Sequence, residues 1–390
     1  MTLSTKRVIS LLLIPAALLC LFLLPLGAGQ SGRLKNPGDL NVGAVSVSAQ
    51  AAALIDASDG SVLFCRGADQ RLPMASTTKI MTAVIAIEYG DLGQVVEIPA
   101  AAVGVEGSSV YLYTGEKLTL GDLLYAMMLE SANDAATAVA IAVAGSIENF
   151  AKLMNDKVEE LGLADTHFVN PHGLDSQEQY TTAYDLAQIT AYALKNETFA
   201  KIVSTKKTTI PFNGNEGVRL LVNHNKLLRS YPGAVGVKTG YTRRSGRCLV
   251  SAAVRGGLTL VAVTLNAPDD WNDHKKMLDY GFSSYIGVTL IGAGEYTLTI
   301  PVAGGQPDWV RCVNSEAVRV RLPVGHGVIT CRVEAPRFLY PPVMAGTRVG
   351  TIVYYCDGEI IGESPIVTTT SAEIARRRGF WDWIKSFFGF

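Results

Sequence analysis

Two Ser-x-x-Lys pairs in this 390-residue chain could support chemistry by an activated hydroxyl. The stretch "PMASTTKIMTA" holds Ser76 and Lys79, and a second pair is Ser204 and Lys207. A serine hydroxyl is a weak nucleophile until a neighbouring base accepts its proton. Lysine can be that base only when neutral, which means lowering its pKa from about 10.4 towards 7, roughly 4 to 5 kcal/mol, by burial and a second nearby cation. Context separates the pairs. After Lys79, Ile80, Ala83, Val84 and Ile87 recur at helical spacing and Gly90 can end the helix, so Ser76 and Lys79 share one face of its first turn. Around Ser204, "STKKTTIPF" is Thr-rich, charged and heads into a proline and a strand, the texture of a solvated loop.

Two further short patterns follow the first pair. "SAN" places Ser131 and Asn133 in a break, "ESAND", between two apolar helices, and "KTG" places Lys238, Thr239 and Gly240 on a strand. A lysine and a hydroxyl on a rigid edge strand suit a terminal carboxylate, and Gly240 lets a substrate approach the backbone closely.

The elements that must position these residues are legible as a pattern. "AAALID" and "SVLFCR" flank the turn "ASDG" as a hairpin. Thr119 with Asp122 reads as a capping box for a helix through Leu123, Leu124, Met127 and Met128, and a second apolar helix runs from Ala135 to Ala144. Further helices are expected at Ser146 to Leu161 and Thr182 to Lys195. "GVKTGYT", "RCLVSAAVR" and "LTLVAVTLN" read as three strands, and a helix follows from about Asp273 to Tyr285. Two strands, a block of helices, three strands and a helix predict an α/β (α+β) domain, an antiparallel sheet covered by helices. From about Gly294, alternating runs such as "AVRVRLPV" and "TIVYYCDGEIIG" predict a small all-β domain.

In this order, Ser-x-x-Lys, Ser-x-Asn and Lys-Thr-Gly form the signature set of β-lactamases and penicillin-binding proteins, with Ala132 where class A lactamases carry Asp. From about residue 45 onward the chain resembles the D-alanyl-D-alanine carboxypeptidases, the low-molecular-mass penicillin-binding proteins. The resemblance implies a β-lactamase/transpeptidase-like domain that removes the terminal D-alanine from peptidoglycan stem pentapeptides and is inhibited by penicillins. It implies that Ser76 is acylated, that Lys79 is its base and that Ser131 relays a proton to the leaving amine. It further implies that Asn133 holds the peptide amide, that Lys238 and Thr239 bind the terminal carboxylate, and that the amides of Ser76 and Tyr241 form the oxyanion hole. "NHNKLL" departs from the family pattern with His224, a carboxylate ligand only when protonated. "FVNPHGLD" resembles the loop bordering the site, with a structural His172. Two rivals remain open: a β-lactamase, although no Glu-x-x-Leu-Asn pattern lies between Ser131 and Lys238, and a membrane-tethered penicillin-sensing or wall-binding protein without turnover.

The composition bounds the rest. A net charge of −1 gives no bulk attraction to nucleic acid. The 48% hydrophobic and 18% charged content is that of a folded protein with extra apolar segments. No cofactor or metal is implied. Lys6 and Arg7 before "VISLLLIPAALLCLFLLPL" read as an export signal over residues 1–29, or as an uncleaved anchor, followed by a linker over 30–49. The peptidase domain is expected over 50–288 and the all-β domain over 292–368, where Cys312, Cys331 and Cys356 allow one disulfide. Residues 371–390, with Phe380, Trp381, Ile384, Phe387 and Phe388 on one helical face beside Arg376 to Arg378, read as an amphipathic membrane-anchor helix. The expected partners are stem peptide, β-lactams and membrane. The expected location is the outer face of the cytoplasmic membrane.

Overall fold

The computed structural model describes residues 45–212 and 217–375. Strands β1 (Ala51–Asp56) and β2 (Val62–Arg66) form the first hairpin. Helix α1 (Lys79–Tyr89) is followed by a ribbon of β3 (Val95–Glu97) and β4 (Lys117–Thr119), then by α2 (Leu120–Leu129), α3 (Asn133–Ala144), α4 (Ile147–Glu160), α5 (Ala183–Leu194) and α6 (Glu197–Ser204). A hairpin of β5 (Lys207–Phe212) and β6 (Gly217–Val222) leads through a single turn, α7 (Leu227–Ser230), to β7 (Ala234–Thr242), β8 (Gly246–Arg255), β9 (Leu258–Leu265) and α8 (Asp270–Ser284).

The sheet order is β2-β1-β9-β8-β7, antiparallel throughout, so the first hairpin pairs with the last strand of the domain. Strand alternation sorts the core. Ala51, Ala53, Ile55, Val250, Val261 and Val263 face the block of helices, whereas Ala52, Leu54, Leu249 and Leu260 face α8 through Met277 and Leu278. Helix starts follow their caps. Thr119 and Asp122 form the expected capping box, and Ser146 and Thr182 cap α4 and α5, each worth about 1 kcal/mol.

The second domain contains β10 (Tyr285–Ile291), β11 (Thr297–Pro301), β12 (Gly305–Gln306), β13 (Trp309–Asn314), β14 (Val318–Pro323), β15 (Ile329–Glu334), β16 (Arg348–Cys356), β17 (Glu359–Thr368) and β18 (Glu373–Ile374). Its main sheet has the order β11-β13-β17-β16-β15, and β10 pairs with β14.

Several expectations are corrected. The last helix of the first domain ends at Ser284, and Tyr285–Ile291 pairs with β14, so this run belongs with the β domain rather than before a boundary at 288. Part of the expected linker is docked: Val47 and Ala49 are buried, and the Ser48 amide and hydroxyl both donate to Asp273. Residues 371–375 are extended rather than helical, with Glu373–Ile374 paired to Gly305–Gln306; the remainder of the expected anchor helix, like the export signal, lies outside the described residues. No disulfide joins Cys312, Cys331 and Cys356. Cys331 is exposed on β15 opposite Tyr354, while Cys312 and Cys356 are buried.

Arg321 ties the two domains together. From β14 its guanidinium reaches Asp56 at 3.0 Å and the Ser61 hydroxyl, and it lies over the Tyr285 ring. Asp56 is almost fully buried, so Arg321→Met strands a carboxylate and is expected to cost roughly 3 kcal/mol of stability in urea unfolding. Adding Asp56→Asn should recover part of that loss; a single variant as stable as the parent would show that the junction does not depend on this pair.

Candidate active site

Ser76 lies in a 3-10 turn, Ala75–Thr78, that runs directly into α1. The hydroxyls of Thr77 and Thr78 donate to the carbonyls of Met74 and Ala75 at 2.6 and 2.8 Å, which tightens the turn. Ala75 has a φ of 46°, a conformation an L-residue holds only when its surroundings impose it. The imposing contact is the 170–175 loop: a Cβ on Gly173, at φ +91°, would fall 1.9 Å from the Ala75 carbonyl oxygen. On the other side β7 passes so close that a Cβ on Gly240 would lie 3.0 Å from the Ser76 amide nitrogen.

One turn on, Lys79 is fully buried. Its Nζ lies 3.0 Å from Ser76 Oγ and 2.6 Å from both Asn133 Oδ1 and the His172 carbonyl oxygen. Burial pushes its pKa well below that of an ordinary lysine, and repulsion from Lys238 adds to this, while Asp134 acts the other way. The same three contacts serve both protonation states: an ammonium would donate to all three oxygens, whereas the neutral amine that burial favours spends its two N–H bonds on Asn133 Oδ1 and the His172 carbonyl and turns its lone pair to the Ser76 hydroxyl.

Asn133 is held by the segment between β3 and β4. Its side-chain nitrogen donates to the Glu106 carbonyl at 2.5 Å and its amide to the Ser108 carbonyl at 2.7 Å, so Oδ1 must face Lys79. Asp134 fixes that segment by accepting from the Ser109 hydroxyl and the amides of Val110 and Leu112. Ser131 stands in the break between α2 and α3, buried and at φ 61°. His172 contributes its carbonyl rather than its ring: burial, reinforced by Lys79, lowers the ring to about 4 and keeps it neutral.

Lys238 is 2% exposed, its Nζ donating to the Thr239 carbonyl at 3.0 Å. Burial lowers its pKa to about 7, and Glu130 opposes the fall. Glu130 is also bound to His224, with Nε2 3.1 Å from its carboxylate, and accepts from the Val222 amide. His224 is half exposed. Thr239 and Gly240 follow Lys238 along β7, and the Tyr241 side chain points largely to solvent. The rival Ser204 is the last residue of α6 and donates to the Ala200 carbonyl, away from Lys207 on β5.

Sequence reasoning missed a clamp. Arg219 of β6 pairs with the buried Glu116, donates to the Tyr111 carbonyl and covers the Phe212 ring at 4.5 Å, joining the β5–β6 hairpin to the segment that holds Asn133. It missed Glu130 as well, although an acid directly before Ser131 was a visible signal.

A strained nucleophile turn, a buried lysine one turn on and a lysine-bearing edge strand beside them define a serine acyl-transfer enzyme. The chain belongs to the D-alanyl-D-alanine carboxypeptidase family, whose profile matches residues 39–269, and the profile of the penicillin-binding protein 5 C-terminal domain matches residues 285–373. It is 33% identical to the D-alanyl-D-alanine carboxypeptidase DacF of Bacillus subtilis, over 87% of this chain and 89% of that one. It is likewise 33% identical to DacC of Escherichia coli, over 88% and 89%. Among solved structures, penicillin-binding protein 5 of Haemophilus influenzae aligns with a TM-score of 0.69 at 28% identity, covering 84% of this chain and 98% of that one.

The Glu130 carboxylate is what supports the charge on Lys238, so Glu130→Gln lowers the Lys238 pKa and the cation is lost at lower pH. The alkaline limb of penicillin acylation plotted against pH should move down by about 1 unit, the low end for one neighbouring charge. An unmoved limb would mean that Lys238 and Glu130 are not coupled in this way.

Proposed function

We propose that this protein removes the C-terminal D-alanine from peptidoglycan stem pentapeptides through an acyl-enzyme on Ser76. The observation that carries the reading is the burial of Lys79 beside Ser76: with its charge removed, its two acceptor partners leave its lone pair for the Ser76 hydroxyl. Lys79 takes the Ser76 proton as Oγ attacks the carbonyl of the penultimate D-alanine. The amides of Ser76 and Tyr241 receive the oxyanion, each worth about 3 to 4 kcal/mol in the transition state. Collapse breaks the peptide C–N bond, and the proton on Lys79 passes through Ser131 to the leaving amine. D-alanine departs, water enters beside Lys79, and the same base activates it to release the shortened peptide.

Lys238 and Thr239 hold the terminal carboxylate, Gly240 allows the substrate strand to lie against β7, and His224 adds positive charge when protonated. Asn133 keeps one N–H and one lone pair beyond its contacts with Glu106 and Lys79, enough to hold a peptide amide. The β-lactamase reading needs a second base for the deacylating water. The acids beside Ser131 and Asn133 are committed elsewhere, Glu130 to Val222 and His224 and Asp134 to the 109–112 backbone, which favours slow release of a β-lactam. The apolar run near the N-terminus and the basic, aromatic tail support export and attachment to the outer face of the cytoplasmic membrane.

Ser76→Ala should abolish labelling by fluorescent penicillin and D-alanine release from a pentapeptide, and Ser204→Ala should leave both intact. By intact-protein mass spectrometry, penicillin should leave a long-lived adduct on Ser76. Rapid return to the unmodified mass, with hydrolysed drug in excess and no D-alanine released, would favour the lactamase.

A further inference from the structure

The β domain exposes Val324, Val328 and Ile360 at the end nearer the catalytic domain, but its exposed aromatic side chains are gathered at the other end. Trp309, Phe338, Tyr340, Met344 and Ile374 are 47%, 50%, 72%, 65% and 66% exposed. They come from separate segments that pairing brings together. Leu339, between Phe338 and Tyr340, bridges Val302; Trp309 lies opposite Pro301; Ile374 lies opposite Gly305; and Val343, next to Met344, bridges Ala372. The Phe338 and Tyr340 rings meet edge to face at 5.4 Å.

Here the chain also passes out of the described residues, with the Ala375 amide donating to the Gly304 carbonyl. The next residues are Arg376, Arg377 and Arg378, followed by "GFWDWIKSFFGF". The opposite end of the domain, where Cys356 pairs with Glu359, is roughly 26 Å away at about 3.3 Å per residue along β16 from Arg348. At that end Asp357 packs against Gly327, and the Val324 amide donates to the Ser284 carbonyl of the catalytic domain. The aromatic end therefore faces away from the catalytic domain.

We propose that this end of the β domain docks on an anionic lipid surface, with Trp309, Phe338, Tyr340, Met344 and Ile374 at headgroup depth. Trp and Tyr suit that depth because each carries an apolar ring with a polar edge. The exposed cations Arg311, Arg337 and Arg348 outnumber Asp308 and Glu373 by one, so the folded patch supplies mainly apolar area and Arg376 to Arg378 supply most of the attraction to anionic headgroups. A tail alone would tether the enzyme and leave its body free to swing. A second contact by the folded domain fixes its tilt and holds the cleft at a set height. The inference rests on the membrane attachment proposed above.

The test uses the full chain with vesicles of phosphatidylcholine and phosphatidylglycerol. An environment-sensitive fluorophore is placed at position 340 (Tyr340→Cys, with Cys20→Ser and Cys331→Ser), and in a control at the exposed Glu159 of the catalytic domain (Glu159→Cys). The probe at 340 should shift to the blue on adding vesicles and be quenched by lipids carrying a nitroxide near the headgroup, while the probe at 159 stays unchanged. Phe338→Ser with Tyr340→Ser should lower vesicle affinity roughly tenfold, as expected for two partly buried rings, and leave D-alanine release from a soluble peptide unchanged. If the protein sediments with vesicles while the probe at 340 keeps its aqueous emission, the tail anchors alone and the inference falls. A probe at 340 already shielded without vesicles would also overturn it, because the chain itself would cover the patch. No sedimentation at all would remove the attachment reading and this inference with it.

Discussion

An amine must be kept uncharged beside a hydroxyl, and much of the catalytic domain is arranged around that requirement. Water would protonate Lys79, so the side chain is sealed between α1, α3 and the 170–175 loop with no exposed surface. A buried polar group needs partners, since leaving one unmade costs about 1 to 3 kcal/mol. Both partners, Asn133 Oδ1 and the His172 carbonyl, accept only, so once burial and the Lys238 charge have removed the third proton they occupy both N–H bonds and the lone pair is left for Ser76. Each is in turn fixed by something further out: Asn133 by the segment that Asp134 and the Arg219–Glu116 pair hold in place, and His172 by a loop whose Gly173 rests on Ala75.

The second constraint is that another buried lysine must do the opposite. Lys238 is as sealed as Lys79, yet the carboxylate-binding role we propose for it needs it charged. The two are distinguished by their neighbours. Asp134, beside Lys79, has its carboxylate occupied by backbone amides and the Ser109 hydroxyl, whereas Glu130 supports the charge on Lys238 and takes its remaining bonds from Val222 and His224. A charged Lys238 then helps to keep Lys79 neutral, so the two lysines to which we assign binding and catalysis are coupled through one repulsion. A substrate carboxylate arriving at Lys238 would strengthen its charge at the moment the base is needed.

Legibility followed the kind of signal each feature leaves. The Ser76–Lys79 turn, the Ser131 break, the capping box at Thr119 and the β7–β9 strands were readable because periodicity, caps and spacing are written in side-chain types. The Tyr285–Ile291 strand was not, because "YIGVTLI" follows α8 without a breaking residue and its partner, β14, lies a strand-rich stretch away. The contribution of His172 was hidden for another reason: it acts through its carbonyl, which every residue has. The Arg219–Glu116 clamp joins positions distant in sequence, and neither residue carries a local signature of the other.

The most direct measurement is the titration of Lys79 itself, followed by NMR of protein carrying 15N at lysine Nζ and assigned with Lys79→Arg. The Lys79 resonance should titrate well below an ordinary lysine's 10.5, and Lys238→Met should move it upward by removing the nearby cation. A Lys79 that titrates at or above 10.5, or that ignores the loss of Lys238, would contradict the claim that a buried, repelled and therefore neutral lysine is the base of Ser76.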